Sequence, residues 1–497
     1  MSWEATLYAD DTKHSKQHTP AIIDIVNAID NPKTRWFSLA LICLLTLNAL
    51  HLWNSGLWTA PPLPHGDGPD YESIAYSIAN GQGFQFAWSD PQWQAPYRES
   101  QLANQYTQFE RRDWPGPTTS RPPLLPILIA TIYQCVPRGP IAFATLRTLS
   151  IIALSIAGAL AVITAYSWTT DRLHQSNKPL SQQLANHLPN LAATITLILA
   201  AADRTIRRYN TDFLTEPWAA LGVAILMLLL LRSKQPPLPL SWYASLGLWL
   251  AIMVLLRSLL IFWLPVLLLF ALLPVAKSLK PKHDPHVKHR SLTWIPPAVI
   301  LATFLLLVAP WWIRNCYVLN SLMPLGAQGP ASLRGGYCDE ALADSGNWNP
   351  TPEQSIQSHL DTLAESKTWS AAQRELALAN QATVETVHWI QQHTYDLPTL
   401  ACRRLLTHYG PPRLDHILWK LFALLGLILL LKHQPETAKW LLALCLADAF
   451  SIALLYETGG RFLIPLHPLL YALAAYGTTQ TVLAVLAIQL SRATRLP

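Results

Sequence analysis

Two acidic residues lie at the predicted start of a short helix. The helix is predicted from residues 65–84, HGDGPDYESIAYSIANGQGF. Pro69 suits the first helical turn, and Asp67 or Gly68 is suited to cap it. Asp67 and Asp70 would then lie together at the helix N-terminus, where a carboxylate could take a proton from an incoming hydroxyl group. The same pattern also fits a purely structural N-cap at Asp67, and the sequence leaves both interpretations open.

A second acidic pair lies in RTIRRYNTDFLTEPW, residues 204–218, between two apolar segments. Asp212 and Glu216 are four residues apart, so they share one helix face if the helix begins by Asp212. Glu216 would then lie about one turn inside an apolar span, where an ionisable side chain is costly and marks a functional site. Burial there would raise its proton affinity and suit it to acid–base chemistry. The alternative is a structural carboxylate that hydrogen-bonds to a neighbouring helix.

Arginines mark the ends of several apolar segments on one predicted side of the membrane, among them Arg257, Arg314 and Arg461. Guanidinium groups suit bidentate phosphate binding, and a shared anionic lipid-linked substrate would account for the set. Snorkelling to lipid headgroups is the alternative for any one of them. The histidines show no metal-binding spacing, so no cofactor is predicted, although a divalent metal is left open.

The composition indicates that membrane helices position these residues. The 497-residue chain is 51% hydrophobic and 13% charged, with a mean hydropathy of +0.21. Soluble domains carry roughly 25% charged residues. A disordered chain, a coiled coil and a small disulfide-stapled domain are excluded on the same figures. Cys338 and Cys402 share one predicted loop, and a disulfide between them is left open.

Ten apolar runs are long enough, or nearly so, to cross a bilayer as helices. They are 36–53, 143–168, 188–202, 212–231, 240–256, 258–273, 293–312, 415–431, 439–455 and 462–490. The last run fits one tilted helix with an extension or two short helices, so about ten or eleven spans are expected. A further run, 121–137, is shorter and opens with two prolines, and we expect an interfacial or re-entrant helix there.

Lysine placement predicts the orientation, because cytoplasmic loops collect basic residues. With the N-terminus inside, 11 of the 13 lysines fall on the cytoplasmic side, most densely in 277–290. The net charge of +6 therefore reflects orientation and not a nucleic-acid partner. We predict a multi-pass protein of the inner or plasma membrane with a cytoplasmic tail (1–35), a catalytic membrane module (36–312), two non-cytoplasmic loops (54–142 and 313–414) and C-terminal spans (415–497).

Several short motifs occur in a particular order along the chain. They are Asp67, Tyr71, Ala75 and Gly81; Arg121-Pro122-Pro123-Leu124; Arg147; Glu216-Pro217; Gly247 to Arg257; Pro310-Trp311-Trp312-Ile313-Arg314-Asn315; and Arg461-Phe462 with Pro465. In this order the chain resembles the GT-C superfamily of integral-membrane glycosyltransferases, and most closely the protein O-mannosyltransferase and aminoarabinose-transferase group, which is glycosyltransferase family 39-like. That group often has Asp-Glu where this chain has Asp67-Gly68, and Tyr in place of Phe462.

The resemblance implies an all-α polytopic bundle that takes a sugar from a polyprenyl-phosphate carrier on the non-cytoplasmic face and transfers it to a lipid, glycan or protein acceptor. Asp67, or Asp70 in its place, would be the catalytic base in an inverting reaction. Glu216, with Asp212, would position the acceptor or the base. The remaining substrate-binding residues would be Tyr71, Arg121, Arg257, Arg314 and Arg461, with the lipid tail in a groove between spans.

Two other functions compete with a transferase. A transporter or flippase for a polyprenyl-linked substrate would also use intramembrane carboxylates and arginines. The large loops and the lack of an internal sequence repeat disfavour it. A non-enzymatic membrane scaffold would use the same ionisable residues structurally and bind a partner through its loops. An unchanged glycan profile on replacement of Asp67 would favour the scaffold.

Overall fold

The computed structural model describes residues 31–64, 66–110, 114–175, 182–231, 238–273, 294–410 and 414–493. Most of the predicted tail (1–35) and the whole of the lysine-rich segment 277–290 lie outside these ranges. In the described parts of the chain, the structure is helical, and the one β-bridge joins Asn347 to Glu457.

The α-helices follow one another with short connections. They are α1 (Pro32–Ser55), α2 (Gly68–Ala79), α3 (Pro91–Arg98), α4 (Leu124–Cys135), α5 (Pro140–His174), α6 (Gln182–Ala202), α7 (Glu216–Leu231), α8 (Leu240–Leu256), α9 (Trp263–Leu272), α10 (Ile295–Leu319), α11 (Gln328–Gly336), α12 (Asp339–Ala343), α13 (Thr351–Thr362), α14 (Ala371–Gln392), α15 (Leu397–Tyr409), α16 (Leu414–His433), α17 (Pro435–Leu454) and α18 (His467–Ala493), with a four-residue helix at Arg204–Arg207. Short 3₁₀ helices lie at Ala103–Gln105, Thr107–Glu110, Arg208–Asn210, Ser258–Phe262, Ala364–Thr368 and Arg461–Leu466.

A helix occupies each of the ten predicted spans, and six of these helices are long and apolar enough to cross a membrane. Those six are α1, α5, α10, α16, α17 and α18, and the other four are shorter apolar helices. Outward-facing side chains such as Ile42 and Leu306, 65% and 80% exposed, suit a lipid environment. The chain is therefore an integral membrane protein. The predicted run 462–490 proves to be one helix, α18, preceded by a 3₁₀ turn.

Glycines allow two pairs of membrane helices to approach closely. A Cβ atom on Gly247 of α8 would lie 2.4 Å from the carbonyl oxygen of Ile300 in α10. Similarly, a Cβ atom on Gly426 of α16 would lie 2.0 Å from the carbonyl oxygen of Leu473 in α18. Small residues at such contacts are typical of helix packing in lipid, where close backbone approach supplies much of the attraction.

Residues on both sides of helix α4 bind the same short helix, α2. Arg121 precedes α4 and pairs with Asp70 at 2.6 Å, whereas Arg138 follows α4 and pairs with Glu72 at 2.5 Å. Twelve helical residues also span only about 18 Å, which is less than the bilayer core of about 30 Å. The geometry agrees with the interfacial or re-entrant helix predicted for 121–137.

The two long predicted loops form helical segments that touch each other. We call residues 56–139 the first connecting segment and residues 320–410 the second connecting segment. The Thr119 amide of the first donates to the Glu375 carboxylate of the second at 2.8 Å. The two segments therefore lie on the same side of the membrane. Cys338 and Cys402, which the sequence left open as a pair, are both free.

Candidate active site

Asp67 occupies the N-cap position of α2, but its carboxylate does not cap the helix. Instead it accepts from Arg121 Nη1 at 2.9 Å and from Arg461 Nη2 at 2.9 Å, and its side chain is 25% exposed. The structural-cap interpretation of this side chain is therefore wrong. A carboxylate held between two guanidinium groups, with one quarter of its surface open, is accessible to a substrate.

Arg121 connects the two acids at the start of α2. Its guanidinium reaches Asp67 through Nη1 and Asp70 through Nη2, the latter at 2.6 Å, and it lies 5.5 Å from the ring centre of Tyr71. The side chain of Asp70 is 8% exposed, compared with 25% for that of Asp67. Of the two carboxylates proposed from the sequence as the base, Asp67 is thus the more accessible.

Glu216 is the first residue of α7, which corrects the expectation that it lies about one turn inside that helix. The helix cannot extend back to Asp212 with Pro217 in its interior, because proline lacks the N–H of the helical ladder and clashes with the preceding turn. In the first turn neither penalty arises. Asp212 therefore precedes the helix and does not share a helix face with Glu216.

The Glu216 carboxylate is fully buried and receives two arginines. Arg461 Nε donates to Glu216 Oε1, and Arg257 Nη1 lies 3.4 Å from the same oxygen. Arg257 also lies over the Phe462 ring at 4.6 Å, so Phe462 supports this arginine through its aromatic face. Arg461 thereby joins Glu216 to Asp67.

Asp212 lies beside Gly68, the first residue of α2. Its carboxylate accepts from the amides of Leu63 at 3.2 Å and Phe213 at 2.8 Å. A Cβ atom on Gly68 would lie 2.5 Å from Asp212 Oδ1, so the glycine makes room for this carboxylate. Burial raises the pKa of Asp212 to about 6, although Arg147 opposes the shift. Position 68 is a glycine and not a second acid, but the Asp212 carboxylate lies next to it and therefore close to Asp67.

Charge around Asp67 favours its ionised form. Burial by itself raises the pKa of the Asp67 carboxyl, but Arg121 and Arg461 outweigh burial and hold the pKa well below its usual range. Burial raises the pKa of Tyr71, and the negative charge of Asp67 raises it further. Tyr71 is therefore a neutral hydrogen-bonding and stacking group at neutral pH.

Arg314, proposed from the sequence as a phosphate ligand, does not join the ion pairs around Asp67 in the structure. Its Nη1 donates to the carbonyl of Thr118 at 2.7 Å, and its guanidinium lies 4.7 Å from the ring centre of Trp311. The backbone that it binds lies three residues before Arg121. Its position therefore favours a supporting role for the turn at 118–120.

Two buried residues, Arg147 and Glu72, bind the segments that surround the site. The sequence analysis does not include them among the site residues. Arg147 is fully buried and donates to the carbonyls of Thr211 at 2.9 Å and Pro61 at 3.1 Å, which ties the start of the first connecting segment to the loop before α7. Glu72 is also fully buried, and it pairs with Arg138. A charged residue within an apolar span, such as Arg147, is a sequence signal for a functional or structural role. For Glu72 the sequence offers no such signal beyond its position on α2.

An apolar groove of about 370 Å³ begins next to the charged cluster and runs between α4, α7 and α8. It is lined by residues that follow or precede the charged ones in sequence: Leu124 follows Arg121, Trp218 follows Glu216, and Leu256 precedes Arg257. The groove therefore leads along the membrane helices to the arginines. Among the described residues, no group of three or more His, Cys, Asp or Glu side chains is disposed to hold a metal ion.

No protein-family model matches the sequence, and no curated protein matches it either. The chain has a distant likeness to solved structures of an archaeal oligosaccharyltransferase from Archaeoglobus fulgidus. One carries a tethered acceptor peptide with the NVT sequon (13% identity, TM-score 0.46, 91% of this chain and 50% of that chain). Another, named AglB, is in complex with an inhibitory peptide and a dolichol-phosphate (15% identity, TM-score 0.46, 94% and 52%).

A third likeness is to ArnT from Cupriavidus metallidurans bound to undecaprenyl phosphate, with 12% identity and a TM-score of 0.34 over 88% of this chain and 77% of that chain. The chain spans about half the length of the two oligosaccharyltransferase chains. Likenesses at these values do not establish a family, and the function proposed below rests on the geometry of the site.

Proposed function

We propose that the protein is a GT-C-type membrane glycosyltransferase that moves a sugar from a polyprenyl-phosphate donor to an acceptor on the non-cytoplasmic face. The observation that carries this proposal is the position of Asp67, a partly exposed carboxylate between Arg121 and Arg461 at 2.9 Å from each. A base and phosphate-binding groups are thus adjacent, next to an apolar groove. The side of the membrane follows from the lysine distribution.

In the proposed reaction, Asp67 removes the proton of an acceptor hydroxyl as its oxygen attacks the anomeric carbon of the donor sugar. The new bond is the glycosidic C–O bond, and the bond that breaks joins the anomeric carbon to the carrier phosphate. The electron pair leaves with the phosphate, whose developing charge is stabilised by guanidinium groups. Attack opposite the leaving group inverts the anomeric configuration.

The arginines around the site would also link donor binding to the proton affinity of Asp67. The carboxylates of Asp67, Asp70 and Glu216 are matched by three guanidiniums, those of Arg121, Arg257 and Arg461. A donor phosphate would therefore compete with the carboxylates for arginine contacts. Each contact that moves from Asp67 to the phosphate would raise the proton affinity of Asp67, since fewer positive charges would then stabilise its ionised form. Donor binding would thereby make Asp67 a stronger base.

The groove would hold the first isoprene units of the carrier. Its apolar walls suit a hydrocarbon chain, and Arg257 directly follows the groove residue Leu256. Arg257 and Arg461 would bind the carrier phosphate, Glu216 would hold these two arginines in place, and Arg121 and Tyr71 would lie on the sugar side. Asp212 would contribute a hydrogen bond to the sugar or acceptor through its carboxyl group.

The test compares cells that lack the protein, carry it, or carry Asp67→Asn at equal membrane abundance. Polyprenyl-phosphate sugars in lipid extracts are quantified by mass spectrometry. We expect one lipid-linked sugar to accumulate without the protein and with Asp67→Asn alike, and its mass would name the donor. Wild-type lipid pools in the Asp67→Asn cells would overturn the proposed mechanism. A lipid-linked sugar confined to the cytoplasmic leaflet without the protein would instead support a flippase.

A further inference from the structure

Arg121 and Arg461 both contact Asp67, and each follows a turn in the backbone. The second connecting segment contacts both of these turns. Arg121 follows the turn at residues 118–120, and Arg461 follows the turn at residues 457–460. Neither turn belongs to the second connecting segment, yet each receives a buried or partly buried charged side chain from it. The two contacts approach Asp67 from different parts of the fold.

The first contact is made by Glu375 of α14. Its carboxylate accepts from the Thr118 hydroxyl, from the Thr119 amide at 2.8 Å and from the Thr119 hydroxyl at 2.7 Å. Thr118 and Thr119 are 0% and 2% exposed, so water does not replace these bonds readily. Three hydrogen bonds to one carboxylate fix the turn that directly precedes Arg121.

Further bonds hold the same turn to the second connecting segment and to α10. The Thr119 hydroxyl also accepts from the Ala327 amide at 3.1 Å, and Arg314 binds the Thr118 carbonyl at 2.7 Å. Gly326, in the left-handed region at φ 86°, lies against the Thr119 carbonyl, from which a Cβ atom would be only 2.2 Å away. The turn is thus enclosed on several sides, with Glu375 as its acidic contact and Arg314 as its basic contact.

The second contact is made by His408 of α15. Its ring is 1% exposed and lies between Asp448 at 2.8 Å from Nε2 and Glu457 at 2.5 Å from Nδ1. Glu457 in turn accepts from the amides of Thr458 at 2.7 Å and Gly460 at 2.8 Å. Glu457 therefore shapes the turn that ends at Arg461, and His408 holds Glu457.

We propose that Glu375 and His408 are positioning residues through which the second connecting segment sets Arg121 and Arg461 at Asp67. The effect of these contacts on catalysis rests on the proposed function, whereas the contacts themselves are independent of it. Displacement of a catalytic group by about 1 Å can cost about a hundredfold in rate. Neither residue contacts Asp67, so each acts on the reaction only through an arginine.

Glu375→Ala tests the first contact, and Glu385→Ala is its matched control. Glu385 lies on the same helix and contacts a different part of the protein, through an ion pair with Arg334 at 3.0 Å. Hydrogen–deuterium exchange of the full-length protein in nanodiscs reports on the turn at 118–120. We expect about tenfold or faster exchange there in Glu375→Ala, since each hydrogen bond to a charged group contributes about a factor of ten or more. In Glu385→Ala the turn should exchange as in the wild type.

For the second contact, His408→Ala is compared with His408→Asn. The asparagine amide lies near the position of the histidine Nδ1 and can still donate to Glu457, whereas alanine cannot. We expect faster exchange at 457–461 only in the alanine variant. Sugar transfer is measured in the same preparations, and both alanine variants should lower kcat by about tenfold or more. His408→Asn should recover most of the activity.

The outcomes separate this inference from the proposed function. Wild-type exchange and wild-type kcat in Glu375→Ala would overturn the inference, as would equal losses in Glu375→Ala and Glu385→Ala, which would indicate general loosening of the segment. If Asp67→Asn abolishes transfer while both alanine variants retain it, the inference fails and the transferase stands. If the wild type transfers no sugar, the proposed function fails, and faster exchange would still establish both contacts.

Discussion

Arg461 donates a hydrogen bond of 2.9 Å to Asp67, although the two residues are 394 positions apart in the sequence. The same guanidinium donates to Glu216 through Nε. One side chain near the C-terminal end of the membrane domain therefore joins an acid of the first connecting segment to an acid at the start of α7. This three-residue group is the centre of the candidate active site.

Asp67→Asn should lower sugar transfer by about 10²–10⁴-fold, the usual contribution of general base catalysis. The amide keeps the size of the side chain and removes the proton acceptor. Asp90→Asn is the control, because Asp90 also occupies an N-cap position but caps α3 through its own side chain. Initial rates with donor in excess measure the effect. Equal rates for Asp67→Asn and the wild type would rule out Asp67 as the base.

Arg461→Lys should lower transfer by about tenfold or more, although the positive charge is kept. A lysine ammonium is a single point charge, whereas Arg461 contacts Asp67 and Glu216 through different nitrogens. The loss should appear mainly in kcat, because the guanidinium would stabilise the leaving phosphate in the transition state. Steady-state kinetics at matched protein levels measure it. A lysine variant with full activity would show that charge alone suffices here.

Ile225→Trp should weaken binding of undecaprenyl phosphate, because Ile225 lines the apolar groove and the indole would fill part of it. The affinity for a short-chain polyprenyl phosphate should change less, since it occupies less of the groove. Ile198→Trp is the control, because Ile198 is an exposed apolar residue of another membrane helix, α6. Thermal shift titrations in nanodiscs measure both affinities. Equal effects of the two tryptophans on the long-chain ligand would place the lipid elsewhere.

Stability should fall in alkaline solution through His408. Burial lowers the pKa of this histidine, but Asp448 and Glu457 outweigh burial and raise the pKa to about 9, from an ordinary 6.5. The protonated ring therefore stabilises the fold fully below pH 6.5, and this contribution is lost as the pH rises through about 9. The shift corresponds to roughly 3 kcal/mol. Unfolding temperatures between pH 6 and pH 10 measure it.

Glu457→Gln is the variant for the pH experiment, because it removes one of the two carboxylates that raise the pKa of His408 and keeps the backbone hydrogen bonds. The alkaline loss of stability should then begin at lower pH than in the wild type. Identical pH profiles for the two proteins would show that this histidine does not titrate in the range.

The sequence predicted the helices well, because a bilayer imposes a length of apolar residues on each span. All ten predicted spans contain a helix, and the short run at 121–137 forms the twelve-residue helix α4. The spacing of Asp212 and Glu216 predicts that α7 begins near Asp212, and this prediction is wrong. The helix begins at Glu216, as Pro217 requires. The proline was the better guide, because it restricts the backbone whereas a spacing of charges does not.

For the site, the amino-acid sequence indicates which side chains are candidates: acids and arginines at the ends of apolar helices, where burial of a charge is costly. Their partners depend on the tertiary structure. It brought Arg121 and Arg461 to Asp67, put Asp212 beside Gly68, and turned Arg314 towards the backbone of Thr118. The physical reason is that ion pairs between distant segments depend on how helices pack, and sequence spacing carries no record of that packing.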